Sequence, residues 1–235
     1  TTSDGSLTAT STLDLTVRSI NDAPVANPDI NAVDEDSVLT VLAVAGLLAN
    51  DLDADTEPLS VKQFTVEGIT FNAGVTATFI AGTFSANSDG SYTFISAPDY
   101  NGIVPTITYT ISDGSLTAIS TLDITVRPIK DAPVANKDIN AADEDSILTV
   151  LAAVGLLAND IDADMDPLSV TQFALEGLTY TAGVTATFVG GTVLVNLDGS
   201  YTFTPALDFN GVVPTITYTT SDGSLTATST LDLTV

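Results

Sequence analysis

Carboxylates in a fixed alternation are the side chains of this sequence best suited to chemistry. Segment 50–55 is Asn-Asp-Leu-Asp-Ala-Asp, and segment 159–164 is Asn-Asp-Ile-Asp-Ala-Asp. Alternating Asp side chains on a loop can present several hard oxygens to one Ca²⁺, which takes about 6 to 8 of them. The loop is not an EF-hand, because the glycine at its sixth position and the glutamate at its twelfth are missing. A solvated acidic loop with Asx turns explains the same pattern equally well.

Nucleophilic catalysis has few candidate residues in this chain. His and Cys are absent, so only Ser or Thr with Lys, or a pair of carboxylates, could supply a nucleophile and a base. No lysine recurs between the two similar halves of the sequence, since Lys62 aligns with Thr171 and Lys137 aligns with Pro28. We therefore expect no enzymatic activity.

The charge of the chain limits its partners. Asp and Glu number 30 against 5 Lys and Arg, which gives a net charge of −25. Such a chain repels nucleic acid and anionic membrane surfaces, and it repels itself unless cations neutralise its acidic clusters. The content of 44% hydrophobic residues argues against disorder. The longest mostly apolar run, Val38 to Ala49, is shorter than the roughly 20 residues that span a bilayer, so we expect no membrane insertion.

The sequence repeats itself with a period of 109 residues. Residues 1–126 and 110–235 are identical at 93 of 126 positions without a gap. A period of this length is typical of whole domains in tandem, because solenoid units repeat at about 20 to 50 residues. We predict that residues 1–20 are the C-terminal strand or strands of a preceding repeat, that 21–129 form the first complete repeat, and that 130–235 form the second.

Apolar and polar residues alternate along the segments that we predict as strands. Ile107, Tyr109 and Ile111 alternate with threonines, which is the period of a half-buried strand. The Asp-Gly pairs at 89–90 and 113–114 stand between such segments and predict hairpin turns. About seven short strands per repeat, with turn signals between them, predict an all-β fold of tandem antiparallel immunoglobulin-like β-sandwiches.

Residues 1–20 match residues 110–129, the segment that ends the first complete repeat. Leu7, Leu13 and Val17 belong to an alternating pattern that predicts a half-buried strand. A final strand without its own sheet has an unpaired edge. We therefore expect either mobility in this segment or edge-strand pairing with another chain.

Six motifs recur in the same order in both repeats and together resemble a known family. In and directly after the first repeat they are Asp34-Glu35-Asp36-Ser37, Ala49-Asn50-Asp51-Leu52-Asp53-Ala54-Asp55, Asn87-Ser88-Asp89-Gly90-Ser91-Tyr92-Thr93-Phe94, Asp99-Tyr100-Asn101-Gly102, Ser112-Asp113-Gly114 and Lys130-Asp131-Ala132-Pro133-Val134. The set resembles the cadherin-like extender repeats of giant bacterial surface adhesins of the repeats-in-toxin type, which leave the cell by type I secretion. The resemblance covers both complete repeats and the leading fragment.

The resemblance implies calcium between consecutive domains, and it implies which residues would bind it. The implied ligands of the central junction are Glu35, Asp99, Asn101, Asp131, Asp162, Asp164 and Asp222. The implied ligands of the first junction, which we expect to be incomplete, are Asn21, Asp22, Asp53, Asp55 and Asp113. These side chains supply enough oxygens for one or two Ca²⁺ ions per junction, with water completing the shell.

The linkers depart from those of animal cadherins. An Asp two residues before the Asn-Asp pair is replaced by Ser19 or Pro128, and the Asn of the pair is kept as Asn21 but becomes Lys130 at the central junction. Fewer ligands and a nearby positive charge predict fewer ions or weaker binding, and the Lys130 ammonium could partly replace a cation.

The resemblance implies a structural function. We expect an extracellular stalk segment of a bacterial cell-surface adhesin that supports adhesion and biofilm formation, is stiffened by Ca²⁺, and has the neighbouring repeats of its own chain as partners. The alternative is an immunoglobulin-like module that itself binds a glycan or a protein. Exposed aromatic residues in a concave patch are typical of such a site, whereas the 6 Tyr and 9 Phe of this chain mostly fall at alternating, core-facing positions.

Overall fold

The computed structural model describes residues 1–235 and separates into two units, Thr1–Pro128 and Ile129–Val235. Both units are built from β-strands, with one 3₁₀ turn in each at Ala43–Ala45 and Ala152–Val154. The prediction of an all-β fold is therefore confirmed. No helix has the length and apolar character needed to cross a membrane.

The first unit contains twelve strands. Their bounds are β1 (Thr2–Ser3), β2 (Thr8–Ala9), β3 (Asp29–Asp34), β4 (Val38–Val41), β5 (Ser60–Val66), β6 (Ile69–Asn72), β7 (Thr76–Phe79), β8 (Gly82–Ala86), β9 (Tyr92–Ser96), β10 (Gly102–Ile103), β11 (Ile107–Ser112) and β12 (Thr117–Arg127). One sheet has the order β10-β12-β11-β5-β6, with β3 joined to β12, and the other has the order β4-β9-β8-β7. These two sheets form the sandwich.

The second unit repeats this architecture with nine strands. Their bounds are β13 (Asp138–Ala141), β14 (Leu148–Val150), β15 (Ser169–Leu175), β16 (Leu178–Thr181), β17 (Thr185–Phe188), β18 (Gly191–Val195), β19 (Tyr201–Pro205), β20 (Ile216–Ser221) and β21 (Thr226–Thr234). The sheet orders are β13-β21-β20-β15-β16 and β14-β19-β18-β17. All pairings are antiparallel except β3 with β12 and β13 with β21, which are parallel.

The core of each unit lies between its two sheets. Alternation places Ile107, Tyr109 and Ile111 of β11 inward, and all three are fully buried. Phe64 of one sheet meets Phe84 of the other edge to face, with ring centroids 5.0 Å apart, a geometry that aromatic pairs favour. The alternating threonines of these strands face outward or lie half-buried, which accounts for the period of two in the sequence.

The first strand of each sandwich changes sheets. β3 pairs with β12 in one sheet, and β4 pairs with β9 in the other. The chain crosses between them at Glu35 and Asp36, and Asp36 has a left-handed φ of 55°. An acidic pair therefore sits at the end of each sandwich, because Glu144 and Asp145 occupy the same crossing in the second unit, where Asp145 has φ 58°.

The segment before the first repeat forms less structure than its pattern predicts. β1 and β2 make a two-stranded hairpin, but no strand continues over residues 10–20. Leu13, Leu15 and Val17 are 80 to 93% exposed. The alternation alone does not make a strand here, since no neighbouring strand supplies the hydrogen bonds and the apolar surface that would hold one.

Candidate metal centre

The acidic loop of each repeat is held against the segment by which the chain enters that repeat. Val25 and Leu52 exchange two backbone hydrogen bonds, of 2.8 and 3.0 Å. Val134 and Ile161 do the same in the second unit, at 2.7 and 3.0 Å. These bridges bring the linker residues and the alternating Asp residues to the same end of the sandwich.

In the first unit three acidic side chains form a cluster at this end. Carboxylate oxygens of Asp53, Glu57 and Asp113 lie within 4.8 Å of one another. Asn21 donates from its Nδ2 to Asp113 Oδ2 at 2.8 Å, and the backbone N–H of Asp22 donates to Asp55 Oδ2 at 2.7 Å. All five residues predicted for the first junction therefore take part in one local network, together with Glu57.

Asp53 and Asp113 are each fixed by the backbone through one carboxylate oxygen. Asp53 Oδ1 accepts from the N–H of Asp55 at 2.9 Å, while its Oδ2 is buried and has no hydrogen-bond partner. Asp113 Oδ1 accepts from the N–H groups of Ser115 and Leu116 at 2.6 and 2.7 Å. These N–H groups, with Asn21, hold the pKa of Asp113 below its usual value, so this carboxyl is charged at neutral pH.

Glu57 shows the electrostatic cost of the cluster. Its pKa is raised, first by desolvation and then by the negative charges of Asp113, Asp53 and Asp55. Carboxylates gathered in this way repel one another, and a bound cation would relieve that repulsion. The donor set consists only of oxygens, which is the chemistry that Ca²⁺ prefers.

The second unit builds a related cluster, in which the counterparts of Asp53 and Glu57 are joined by Asp164 and not by Asp222, the counterpart of Asp113. Carboxylate oxygens of Asp162, Asp164 and Asp166 lie within 4.8 Å of one another, and the N–H of Asp131 donates to Asp164 Oδ2 at 2.9 Å. A second difference is Lys130, whose ammonium pairs with Asp166 Oδ2. This contact, followed by the charges of Asp166, Asp164 and Asp222, raises the pKa of Lys130.

Asp222 lies in the late Ser-Asp-Gly turn of the second unit. Its Oδ1 accepts from the N–H of Leu225 at 2.6 Å. Contacts with the N–H groups of Leu225 and Ser224, and then the Lys130 charge, lower its pKa. Asp222 Oδ2 and Asp162 Oδ2 are both buried and have no hydrogen-bond partner. Two carboxylate oxygens of this unit therefore lack the hydrogen bonds that buried polar atoms normally make.

The opposite end of each sandwich carries a second acidic group. In the first unit Asn101 Nδ2 donates to Glu35 Oε2 at 3.1 Å, and the N–H of Asp99 donates to Asp36 Oδ1 at 3.1 Å. Asp99 has a left-handed φ of 54°. The second unit keeps both contacts, from Asn210 to Glu144 at 3.4 Å and from Asp208 to Asp145 at 2.9 Å.

The residues predicted for the central junction are divided between the units. Glu35, Asp99 and Asn101 lie at this second end of the first unit, whereas Asp131, Asp162, Asp164 and Asp222 belong to the entry end of the second.

Sequence reasoning missed four acidic members of these groups, Glu57, Asp166, Asp36 and Asp145. The signal that could have found them is the repeat itself, because negative charge recurs 109 positions apart. Glu57 aligns with Asp166, and Asp36 aligns with Asp145.

A buried polar network behind each acidic loop was also missed. Tyr109 Oη lies 2.7 Å from Asp29 Oδ2, and the N–H of Asn27 donates to Asp51 Oδ1 at 2.7 Å. Desolvation is the main cause that raises the pKa of Asp29 and of Asp51. Asp51 is only 8% exposed, so the first Asp of the alternating motif faces the core and not the cluster.

The second unit has the same network with an additional donor. Tyr218 Oη lies 2.8 Å from Asp138 Oδ2, and burial raises the pKa of Asp138 to about 6. Thr220 Oγ1 donates to Asp160 Oδ2 at 2.9 Å. The first unit has Ile111 at this position, and there Asp51 Oδ2 has no partner.

Comparison with known proteins also divides the chain near Pro128, where the two structural units meet in sequence. Residues 21–128 and residues 130–235 each match the bacterial cadherin-like domain. No curated protein matches the chain in sequence.

Several solved structures are similar in fold. Human protocadherin-24 EC1-2 aligns with a TM-score of 0.47 at 14% identity, over 87% of this chain and 94% of that one. The human desmocollin-1 ectodomain aligns with a TM-score of 0.45 at 11% identity, over 90% and 40%. An endo-fucoidan hydrolase of glycoside hydrolase family 107 aligns with a TM-score of 0.34 at 17% identity, and this chain spans only 28% of its length. Similarity at this level carries no functional argument.

Proposed function

The chain belongs to the bacterial cadherin-like domain family, with two copies in tandem, and from this premise we propose that it is a structural extender whose joints are stiffened by Ca²⁺. The repeats of one chain are each other's partners in this proposal, and no catalytic role is assigned to them. Bacterial cadherin-like domains are typically extracellular. We place this chain in the stalk of a bacterial surface adhesin, exported by type I secretion, that supports adhesion and biofilm formation.

One observation carries the proposal: each sandwich has a cluster of three carboxylates at its entry, and two of the three positions are the same in both repeats. Asp53 and Glu57 of the first cluster correspond to Asp162 and Asp166 of the second. Each cluster contains one buried carboxylate oxygen that has no hydrogen-bond partner, Asp53 Oδ2 in the first and Asp162 Oδ2 in the second. Ca²⁺ supplies the missing positive charge and accepts ligands of this kind at flexible geometry.

The linker is coupled to the cluster through its own backbone. The N–H of Asp22 is held by Asp55, and that of Asp131 is held by Asp164. An ion that fixes Asp55 or Asp164 therefore also fixes the direction in which the chain enters the sandwich. At the other end of the first unit, the N–H of Glu35 donates to the carbonyl oxygen of Arg127 at 2.9 Å, so an acidic residue also holds the segment by which the chain leaves.

Calcium concentration would then control stiffness. Extracellular modules bind Ca²⁺ at about 10⁻⁴ to 10⁻³ M, so the joints would be occupied outside the cell and empty at cytosolic concentrations. Empty joints leave the linker flexible during export, and filled joints give an extended stalk.

Calorimetry on the full chain tests the binding step. We expect Ca²⁺ binding in the range of about 10⁻⁴ to 10⁻³ M that is lost at the second cluster in Asp162→Asn/Asp164→Asn. The Asn side chains keep an acceptor oxygen for the backbone contacts and remove only the charge. Asp198→Asn is the matched control, because Asp198 accepts from Ser200 in an exposed turn and belongs to neither cluster. Binding that is the same in the double variant and in the control would refute the assignment.

Small-angle scattering tests the mechanical step. With Ca²⁺ the full chain should give a longer and narrower distance distribution than with a chelator, while circular dichroism should show that both sandwiches stay folded. Identical scattering curves under the two conditions would mean that the ions, where bound, do not stiffen the chain.

A further inference from the structure

The two repeats differ at the residue that approaches each cluster from the linker. Asn21 in the first unit donates to Asp113 Oδ2. Its counterpart Lys130 turns instead to Asp166 Oδ2 and forms an ion pair with it. The same backbone position therefore delivers a neutral amide to one cluster and a positive charge to the other.

The change of partner leaves a carboxylate oxygen without a donor. Asp222 is the counterpart of Asp113, and its Oδ2 is buried without a hydrogen-bond partner, whereas Asp113 Oδ2 accepts from Asn21. The ammonium of Lys130 is a cation already seated among the acidic side chains. It satisfies Asp166 but leaves Asp162 Oδ2 and Asp222 Oδ2 unpaired.

We propose that Lys130 is a tethered cation that competes with Ca²⁺ for the second cluster, so that the two repeats fill at different calcium concentrations. This inference rests on the proposed function, because it concerns the regulation of the same site. To use Asp166 as a ligand, Ca²⁺ must displace the ammonium. If the ammonium stays about 5 Å away, its repulsion of a divalent ion at the dielectric constant of water weakens binding on the order of tenfold.

The consequence is a stalk whose joints bind Ca²⁺ at different calcium concentrations. A joint with Asn at the linker position binds Ca²⁺ at the lower concentration. A joint with Lys binds it only at about ten times that concentration. An array that mixes the two kinds of repeat would stiffen in steps as calcium rises. The choice between Asn and Lys at one linker position would set the order of those steps.

Nuclear magnetic resonance of the full chain can follow the two clusters separately. The backbone N–H of Asp131 is bonded to Asp164 of the second cluster. That of Asp22 is bonded to Asp55, whose own N–H donates to Asp53 of the first cluster. Each signal therefore reports the filling of its own cluster. Lys130→Asn should lower the calcium midpoint at Asp131 by about tenfold and leave the midpoint at Asp22 unchanged. Asn21→Lys should raise the midpoint at Asp22 by a similar factor.

Two further variants separate the tethered cation from a general effect of charge. Lys130→Arg keeps the positive charge and should keep the wild-type midpoint. Lys137→Asn removes a charge from the same unit, but its ammonium pairs with Asp232 at 2.6 Å, so the midpoint at Asp131 should not move. A midpoint that is unchanged in Lys130→Asn, or lowered equally by Lys137→Asn, would overturn the inference and leave the proposed function standing. No calcium response at either amide up to about 10 mM, tenfold above the usual range for extracellular modules, would refute the proposed function itself.

Discussion

Thr220 supplies a hydroxyl to the buried polar network behind the acidic loop of the second repeat, and the first repeat has Ile111 at this position. Removing this hydroxyl tests how much the network stabilises the repeat. Its Oγ1 donates to Asp160 Oδ2 at 2.9 Å, and the side chain is fully buried in β20. Thr220→Val keeps the shape of the side chain and replaces the hydroxyl by a methyl group. The variant should recreate in the second repeat the state of Asp51, whose Oδ2 has no partner.

The expected loss follows from the type of bond that is removed. A buried carboxylate oxygen left without its donor costs about 1 to 3 kcal/mol of folding free energy. The added methyl group is apolar and opens no cavity, so no further term for lost packing applies. At about 1.4 kcal/mol per factor of ten, this loss corresponds to an open state of the second repeat that is about 5- to 150-fold more populated.

Hydrogen exchange with peptide-level mass spectrometry measures this loss in each repeat separately. The slowest amides of β20 report the opening of the whole sandwich, and the peptides of the first repeat serve as an internal reference. Thr217→Val is the matched control, because Thr217 lies on the same strand but is exposed, and its change should stay within about 0.5 kcal/mol. Exchange in Thr220→Val no faster than in Thr217→Val would refute the reasoning, as would equal acceleration in both repeats.

Two further predictions concern the cores of the repeats. Burial raises the pKa of Asp138 from 3.8 to about 6, so the stability that this group contributes is present at low pH and is lost as the pH rises from about 4 to about 6. Asp138→Asn should therefore reduce the fall in stability of the second repeat between pH 4 and pH 7. The full shift corresponds to about 3 kcal/mol, and screening by solvent at this partly exposed side chain lowers the expected effect to about 1 to 2 kcal/mol. Urea denaturation without calcium measures it, and an unchanged pH dependence would contradict the assignment. Gly46→Ala should destabilise the first repeat by about 1 to 3 kcal/mol or more, because the new Cβ would lie 2.2 Å from the carbonyl oxygen of Gly90. Thermal unfolding checks this against Val44→Ala, whose side chain is 87% exposed, and equal melting temperatures for the two variants would show that the contact is not tight.

The sequence predicts the strands that have one buried face. β11 and β12 alternate cleanly because every second side chain enters the core, and burial produces that alternation. β6 and β10 carry no such pattern, since β6 is a sheet edge without a fully buried side chain and β10 has only two residues. The parallel pairing of β3 with β12 joins residues about 93 positions apart, and no local pattern encodes it.

The candidate site was predictable where charge recurs in a regular pattern. The alternating Asp residues identified the acidic loop as a candidate site. The repeat length of 109 residues then identified the equivalent loop in the other repeat. Glu57 and Asp166 were missed because each follows a residue in left-handed conformation, Thr56 with φ 63° and Met165 with φ 61°. Thr and Met do not indicate a left-handed backbone conformation, which normally favours Gly or Asn. The carboxylate partner of Tyr109 was also hidden, since Asp29 lies 80 residues away in the sequence.

The buried network gives the acidic loop a structural role beside the binding role that we propose for it. Asp51 points into the core and accepts the N–H of Asn27, and the Val25–Leu52 bridge fixes the loop beside it. The next carboxylate, Asp53, is thereby presented at the surface end of a loop whose position the core already determines. In the proposed function, Ca²⁺ would therefore have little folding to drive in the sandwich. Its binding energy would then act on groups that the core does not hold, such as the linker residue Asp22, whose N–H is bonded to Asp55.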